Sequence, residues 1–424
     1  MKSVYLKFSL FLLPFLGVLL WGEYQVYQTG ETVPFKKVIN AQLSSENELY
    51  YYRALLNNNM NAYKVEMINR QKPEIITLGQ SIVLNFRDFM FHPMEDKFYN
   101  GGHLVNNIWD IEHVVQLWKE EKLHRPKVVI FGLDAGIPKK NNYLDYFRNF
   151  LIGYNDKAYD LNSHMHALQN FFKYKLFGEN KIPKGDPNLG FGYFGQLGNG
   201  YRKDGSFNML KRSIEYLKEP KFTDDRNALE LFDKHLPPFS GEWEIDDKKI
   251  PMLLGAFEDM EEMGMEVIIH LTPYTSYFID HCFTDDEFIV FWKQFLDFKQ
   301  KIKDEGYAFM EWGRSKDMGF DDRFFQDAFH PGETIIGLQF YDFLSKDAGG
   351  NKLLQQIDKT HLLEIIKSPK TNPMSFQIES PLLLQYMDTI PRHDSLYDAM
   401  KMVDNFLKNG LPEMEYETVI PRSR

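Results

Sequence analysis

Two short stretches hold residues whose types and spacing could carry nucleophilic chemistry. The first is Ile75-Ile76-Thr77-Leu78-Gly79-Gln80-Ser81, an apolar run that ends in a glycine and leads to a serine opening a helical pattern. A serine so placed is either a helix N-cap, its hydroxyl accepting a backbone N–H, or an exposed nucleophile beside unpaired N–H groups that could receive an oxyanion. The second stretch is Asp327-Ala328-Phe329-His330, far downstream and followed by Pro331-Gly332. Asp327 is close enough in sequence to accept a hydrogen bond from His330 Nδ1–H and fix the tautomer. A histidine oriented by a carboxylate is two parts of a nucleophilic triad, and a serine is the third. Alone, each stretch reads as ordinary capping. Together they favour Ser81 as nucleophile, with His330 as base and Asp327 behind it.

These residues need elements that bring them together. Apolar runs predict strands over residues 74–78, 97–100, 127–133, 265–271 and 307–312. The run at 127–133 is continuously apolar, as a strand covered on both faces should be. Helical periodicity marks 45–71, a segment after Ser81, 104–121, 252–263, 285–303, 334–344 and 352–366, with Gly101-Gly102 as a turn. Strands alternating with helices predict an α/β fold, a parallel sheet with helices on both faces. Ser81 then falls at the C-terminal end of a strand, where open α/β sheets bind ligands. The alternation stops over about 138–250. Amphipathic helices near 143–152, 163–175, 206–217 and 226–235 make that stretch a mainly helical insertion. The expected organisation is 1–30 anchor, 31–71 helical linker, 72–345 sheet domain with its insertion, and 346–424 C-terminal helices and a poorly periodic tail.

Composition narrows the function classes. A formal net charge of −11 and no basic run exclude nucleic acid as the expected partner. One cysteine, Cys282, allows no internal disulfide, and beside His281 it reads as inert packing. Lys2 and Lys7 flank the start of an apolar run that continues from Phe8 to Trp21. No small-residue cleavage signature follows, so the run is expected to be an uncleaved signal-anchor transmembrane helix. The lysines place its N-terminus in the cytoplasm and the remainder outside.

At this point a family resemblance is visible. The chain resembles the SGNH (GDSL-like) hydrolases, and within them the membrane-anchored proteins of polysaccharide O-acetylation and D-alanyl transfer. Leu78-Gly79-Gln80-Ser81 resembles the nucleophile block, Phe98-Tyr99-Asn100-Gly101-Gly102 the glycine block, and Asp327-Ala328-Phe329-His330-Pro331 the Asp-x-x-His block. Gly200 to Ser206 is similar to a stretch of the insertion in such proteins. The resemblance implies a three-layer, flavodoxin-like SGNH domain. It implies catalytic Ser81, Asp327 and His330, with the oxyanion on the Ser81 N–H and a glycine N–H, by analogy Gly102. It also implies acyl transfer, acetyl in the first instance, or ester hydrolysis on a cell-surface or secreted polysaccharide. The setting would be a bacterial cytoplasmic membrane with the catalytic domain outside, and the partner a membrane-bound O-acyltransferase. No cofactor or metal is implied.

Two positions depart from the family pattern. Gln80 stands where an aspartate is usual, and Asp134 where an asparagine donor follows the third strand. An ionised carboxylate donates nothing and repels an oxyanion. Asn100, Asn106 or Asn107 could supply the donor instead, Asn106 being the one expected alongside Gly102. A rival reading is a glycan-binding or assembly protein that keeps the fold without the chemistry. Another is an intracellular esterase whose first helix is merely core. Gly190-Phe191-Gly192-Tyr193-Phe194-Gly195 fits a nucleotide-loop expression but follows no apolar strand. His164 and His166, two apart on a predicted helix, cannot share a face as a metal pair.

Overall fold

The computed structural model describes residues 2–53, 60–142, 145, 165, 167–173, 185–209, 226–346, 350–367 and 394–409. The chain divides into two units. Met67–Leu151, Asp204–Ser206 and Arg212–Arg424 form one; Met1–Glu66, Ile152–Lys203 and Phe207–Lys211 form the other.

The larger unit is built on the predicted apolar runs. They become β1 (Ile75–Gly79), β2 (Phe98–Gly102), β3 (Val128–Gly132), β4 (Glu266–Leu271) and β5 (Ala308–Glu311), all parallel, in the order β2-β1-β3-β4-β5. Every residue of β1, β2 and β3 is buried; β3 is apolar throughout, as a strand covered on both faces should be, and the polar residues of β1 and β2, Thr77 and Asn100, are buried with them. Two contacts fix the layers. Phe131 of β3 is in register with Ile269 of β4, so His270 points to the opposite face. The Phe131 ring packs at 5.2 Å against Phe257 of helix Lys249–Glu262. His270 Nε2 lies 3.0 Å from Gln339 Oε1 of helix Glu333–Lys346. Helices therefore cover both faces. Burial pushes the His270 imidazole down to about 4, so it stays neutral in the core.

Strand order reverses between β1 and β3, which opens a crevice at their C-terminal ends. Ser81 follows β1 and Asp134 follows β3. After β5 the chain makes an antiparallel hairpin, β6 (Phe325–Asp327) and β7 (His330–Pro331), with Asp327 paired to His330.

Several expectations are corrected. The segment after Ser81 is a single 3₁₀ turn, Ser81–Val83, and not a helix. Ile82, Val83, Leu84 and Phe86 are all buried, so that segment has no solvent face to give a helix period. Gly101 and Gly102 belong to β2 instead of forming a turn. The second of the two helices after His330 splits into a 3₁₀ turn, Leu354–Gln356, and the helix Lys359–Lys367. The tail contains a further helix, Asp394–Asn409. The helix expected at 143–152 lies outside the described residues save 145, as do 210–217, His164 and His166.

In the second unit, helix Lys2–Gln28 includes a stretch, Leu10–Gln28, long and apolar enough to cross a membrane or to serve as a signal sequence. Residues read as a helical linker and a helical insertion contribute a four-stranded sheet: Gly190–Phe191, Tyr50–Tyr51, Asn199–Tyr201 and Phe207–Met209. The strand at Phe207 stands where a helix was expected from Ser206. The nucleotide-like glycines have their explanation here. A Cβ on Gly190 would collide with the Tyr50 carbonyl oxygen, and one on Gly192 with that of Tyr52. Those glycines let two backbones close on each other.

Candidate active site

β1 ends at Gly79, whose φ of 148° is one that side-chain-bearing residues rarely adopt. A Cβ there would sit 3.1 Å from the Gly132 carbonyl oxygen at the end of β3. Glycine at both positions lets the turn that follows drop onto the sheet. Val83 then covers Gly132 so closely that a Cβ on Gly132 would overlap Val83 Cγ1.

Ser81 does not cap a helix. The residue at the cap position is Gln80, which makes no side-chain cap bond. Ser81 Oγ instead lies 2.6 Å from His330 Nε2. His330 Nδ1 lies 2.7 and 2.8 Å from the two Asp327 carboxylate oxygens. The Asp327 carboxylate also accepts the His330 backbone N–H at 3.1 Å, which locks the hairpin turn. With the carboxylate at Nδ1, that nitrogen carries the proton, and Nε2 is left to accept from the serine hydroxyl. Thr275 holds the same turn from below, its N–H and hydroxyl both donating to the Ala328 carbonyl at 3.0 and 3.1 Å.

Two further ties join the serine turn to the histidine hairpin and to the helix that follows it. Asn85 Nδ2 donates to the Pro331 carbonyl at 2.6 Å. Arg87 Nε donates to Glu333 Oε1 at 2.6 Å, and both side chains are almost wholly buried. Sequence reasoning missed both. Their signal was Asn85 and Arg87, two of the three polar residues in the otherwise apolar run Ile82 to Phe91.

The oxyanion donors are corrected. The Gly102 N–H is committed to Asn100 Oδ1 at 2.9 Å. Asn100 Nδ2 donates to the carbonyls of Val83 and Phe86, at 2.7 and 2.9 Å, clamping the serine turn to β2. Asn107 caps helix Ile108–Lys119 by accepting the Asp110 N–H. Asn106 Nδ2 donates to the His103 carbonyl at 3.1 Å, and the residue does not line the pocket at Ser81. The Ser81 N–H has no acceptor among the described residues.

Asp134 does line that pocket, together with Ser81, Gln80 and Lys139. Its Oδ1 accepts the Gly136 N–H at 2.6 Å. Burial raises its carboxyl above the ordinary carboxylate range, while Gly136, His330 and Lys139 oppose the rise. Lys139 is buried, with Nζ donating to the Phe239 and Ser240 carbonyls at 3.0 Å and lying 3.5 Å over the Trp243 ring. Burial pulls its amine down to about 8, against the pull of Asp134. Cys282 is fully buried and burial pushes its thiol up, which leaves it inert as expected.

The chain matches no family model, no curated protein and no solved structure.

Proposed function

We propose that the protein is an SGNH-type serine acyltransferase or esterase acting on a cell-surface or secreted polysaccharide. The observation that carries this reading is the 2.6 Å approach of Ser81 Oγ to His330 Nε2 with the Asp327 carboxylate behind the ring. The β2-β1-β3-β4-β5 order supports it, being that of flavodoxin-like three-layer folds, with Ser81 at the switch point.

His330 Nε2 takes the Ser81 hydroxyl proton as Oγ attacks the acyl carbonyl carbon. The negative charge moves to the carbonyl oxygen, which the free Ser81 N–H receives. Asp134, in its neutral form, supplies the second donor. The intermediate collapses, and the leaving oxygen takes the proton from His330 to depart as an alcohol. An acceptor hydroxyl then loses its proton to His330 and attacks the acyl-serine, releasing the new ester and free Ser81. Water in the acceptor's place gives hydrolysis.

The N-terminal helix anchors the domain in this reading, outside the cytoplasmic membrane of a bacterium, and a membrane-bound O-acyltransferase delivers the acyl group. A fluorophosphonate probe tests the chemistry. It should label the full chain at Ser81 and fail to label Ser81→Ala, whose ester turnover should fall by roughly 10⁶ in kcat at unchanged thermal stability. No labelling of the folded wild type would favour the second reading, a glycan-binding or assembly protein. The commitment of Gly102 and Asn100 to structural bonds is the observation on that side.

A further inference from the structure

Helix Lys2–Gln28 packs, at its C-terminal end, against the insertion. The helix expected at 163–175 is helical where it is described, at 165 and 167–173. Phe171 and Phe172 meet the Trp21 ring at 5.6 and 6.2 Å. A Cβ on Gly22 would lie 2.8 Å from Phe172 Cζ and 2.9 Å from Leu168 Cδ2, so the absent side chain is what lets the two helices close. Val26, one turn on, is fully buried in a cluster with Ala167, Leu168, Phe171 and Tyr193. The Gln28 carbonyl accepts Gln196 Nε2–H at 2.9 Å. The end of the apolar helix is thus part of the core of its own unit, which a signal sequence removed after export is not.

The depth of this contact follows from helical rise. About 30 Å of hydrocarbon takes about 20 helical residues at about 1.5 Å each. Two limits bracket the span. If charged Lys7 closes it on one side, it runs from Phe8 to Gln28, and Trp21 lies about 10 Å below its outer end. If Glu23 and the exposed rings of Tyr24 and Tyr27 sit among the headgroups, Trp21 lies at the boundary itself. In both, whatever packs on Trp21 and Gly22 is at or below headgroup level.

The insertion helix has a face suited to that level. Met165, Gln169 and Lys173 are exposed and fall four apart, so they form one stripe. Half-buried Phe172 adjoins Lys173 at its end. A ring at the acyl boundary beside an ammonium that reaches back to lipid phosphate is the pattern of a helix lying in the interface.

From this contact we infer that the insertion helix is a second membrane element, docked on the anchor and lying in the headgroup boundary at the anchor's far end, with bilayer lipid as the partner of its exposed face. Continuity with the apolar helix argues for lipid. The inference rests on reading Leu10–Gln28 as a membrane span, and not on the serine chemistry.

The test uses the full chain in phosphatidylcholine–phosphatidylglycerol vesicles, with a thiol-linked fluorophore on single added cysteines. The wild type, whose one thiol, Cys282, is buried, is the blank. Val18→Cys reports the span and Gln169→Cys the insertion. The lipids carry a nitroxide either at the headgroup or near the end of the acyl chain. The label at 18 should lose most emission to the chain-end nitroxide. The label at 169 should lose most to the headgroup nitroxide, as a helix buried about 5–10 Å into the headgroup boundary does. Gly22→Leu drives a side chain into Phe172 and Leu168, and should abolish most of the quenching at 169 while leaving that at 18 unchanged. Quenching at 18 without quenching at 169 overturns the inference and leaves the anchor standing. Quenching at neither overturns the anchor as well. Quenching at 169 that survives Gly22→Leu overturns the docking on the anchor.

Discussion

Asp134→Asn separates the two things a carboxyl can do in this pocket. One carboxyl oxygen is taken by the Gly136 N–H at 2.6 Å, so only the other can face a substrate oxygen. Protonated, that oxygen donates; ionised, it repels the developing charge. A single oxyanion donor is worth about 10²- to 10³-fold in kcat. Wild-type kcat/KM should therefore fall, relative to Asp134→Asn, as pH rises through the Asp134 pKa, because the asparagine amide donates at every pH. The ratio of variant to wild type should start near unity in acid and climb by up to about 10²-fold or more. Readings stay below about pH 8, where Lys139, the pocket's cation, loses its charge. The same shift has a stability consequence of known sign. The folded-state pKa of Asp134 is raised above 3.8 by burial, so between 3.8 and that raised value the folded chain holds more protons than the unfolded one. Stability then falls as pH rises across this window and stays lower above it. Asp134→Asn removes the loss, so its melting temperature should exceed that of the wild type at neutral pH and converge with it below 3.8. A pH-rate ratio that stays flat, or an asparagine variant as inactive as Ser81→Ala throughout, refutes the reasoning.

Three further outcomes follow from the same geometry. Arg87→Met strands the buried Glu333 carboxylate and should cost about 3–5 kcal/mol in urea unfolding, most of it regained in Arg87→Met/Glu333→Leu; an unaffected single variant would deny the pair its place in the core. Gly132→Ala drives a methyl into Val83, costing about 1–3 kcal/mol, and should lower kcat further by moving the serine turn, since a displacement of about 1 Å can cost 10²-fold; a stability loss with full activity would separate the turn from catalysis. Alkaline carbonate should leave the full chain in the membrane pellet if Lys2–Gln28 spans the bilayer, and release to the supernatant would refute the anchor.

What the sequence reveals here depends on how local its cause is. β3 was legible because a strand buried on both faces must be apolar at every position, and Val128 to Gly132 is. The meeting of Ser81, Asp327 and His330 was legible because few residue types can form such a set. The sheet of the other unit was not, since strands of two or three residues such as Tyr50–Tyr51 are too short to show a period. The false helix after Ser81 came from a related limit: Ile82, Val83, Leu84 and Phe86 are apolar because the segment is buried on all sides, not because it is amphipathic. Gly102 failed as a donor for a reason no local pattern carries. Its N–H is consumed by Asn100, two residues away in the same strand, and only the fold shows which way each group turns.

The committed donors and the serine have one physical explanation. Asn100 spends its amide on Val83 and Phe86, Asn85 reaches Pro331, and Arg87 pairs with Glu333. All four bonds pin the short segment from Ser81 to Arg87, one of them to the hairpin that carries His330 and one to the helix that follows it. A serine that merely capped a helix would need none of this, since its partner would be the next turn of the same helix. Burying an Arg–Glu pair adds little to net stability, so its return lies in fixing geometry. What it ties together is the segment that carries Ser81 and the helix that follows His330. Asp134 fits this picture only through its protonation: burial raises its carboxyl above the ordinary carboxylate range, and in the proposed mechanism it donates only while it holds its proton.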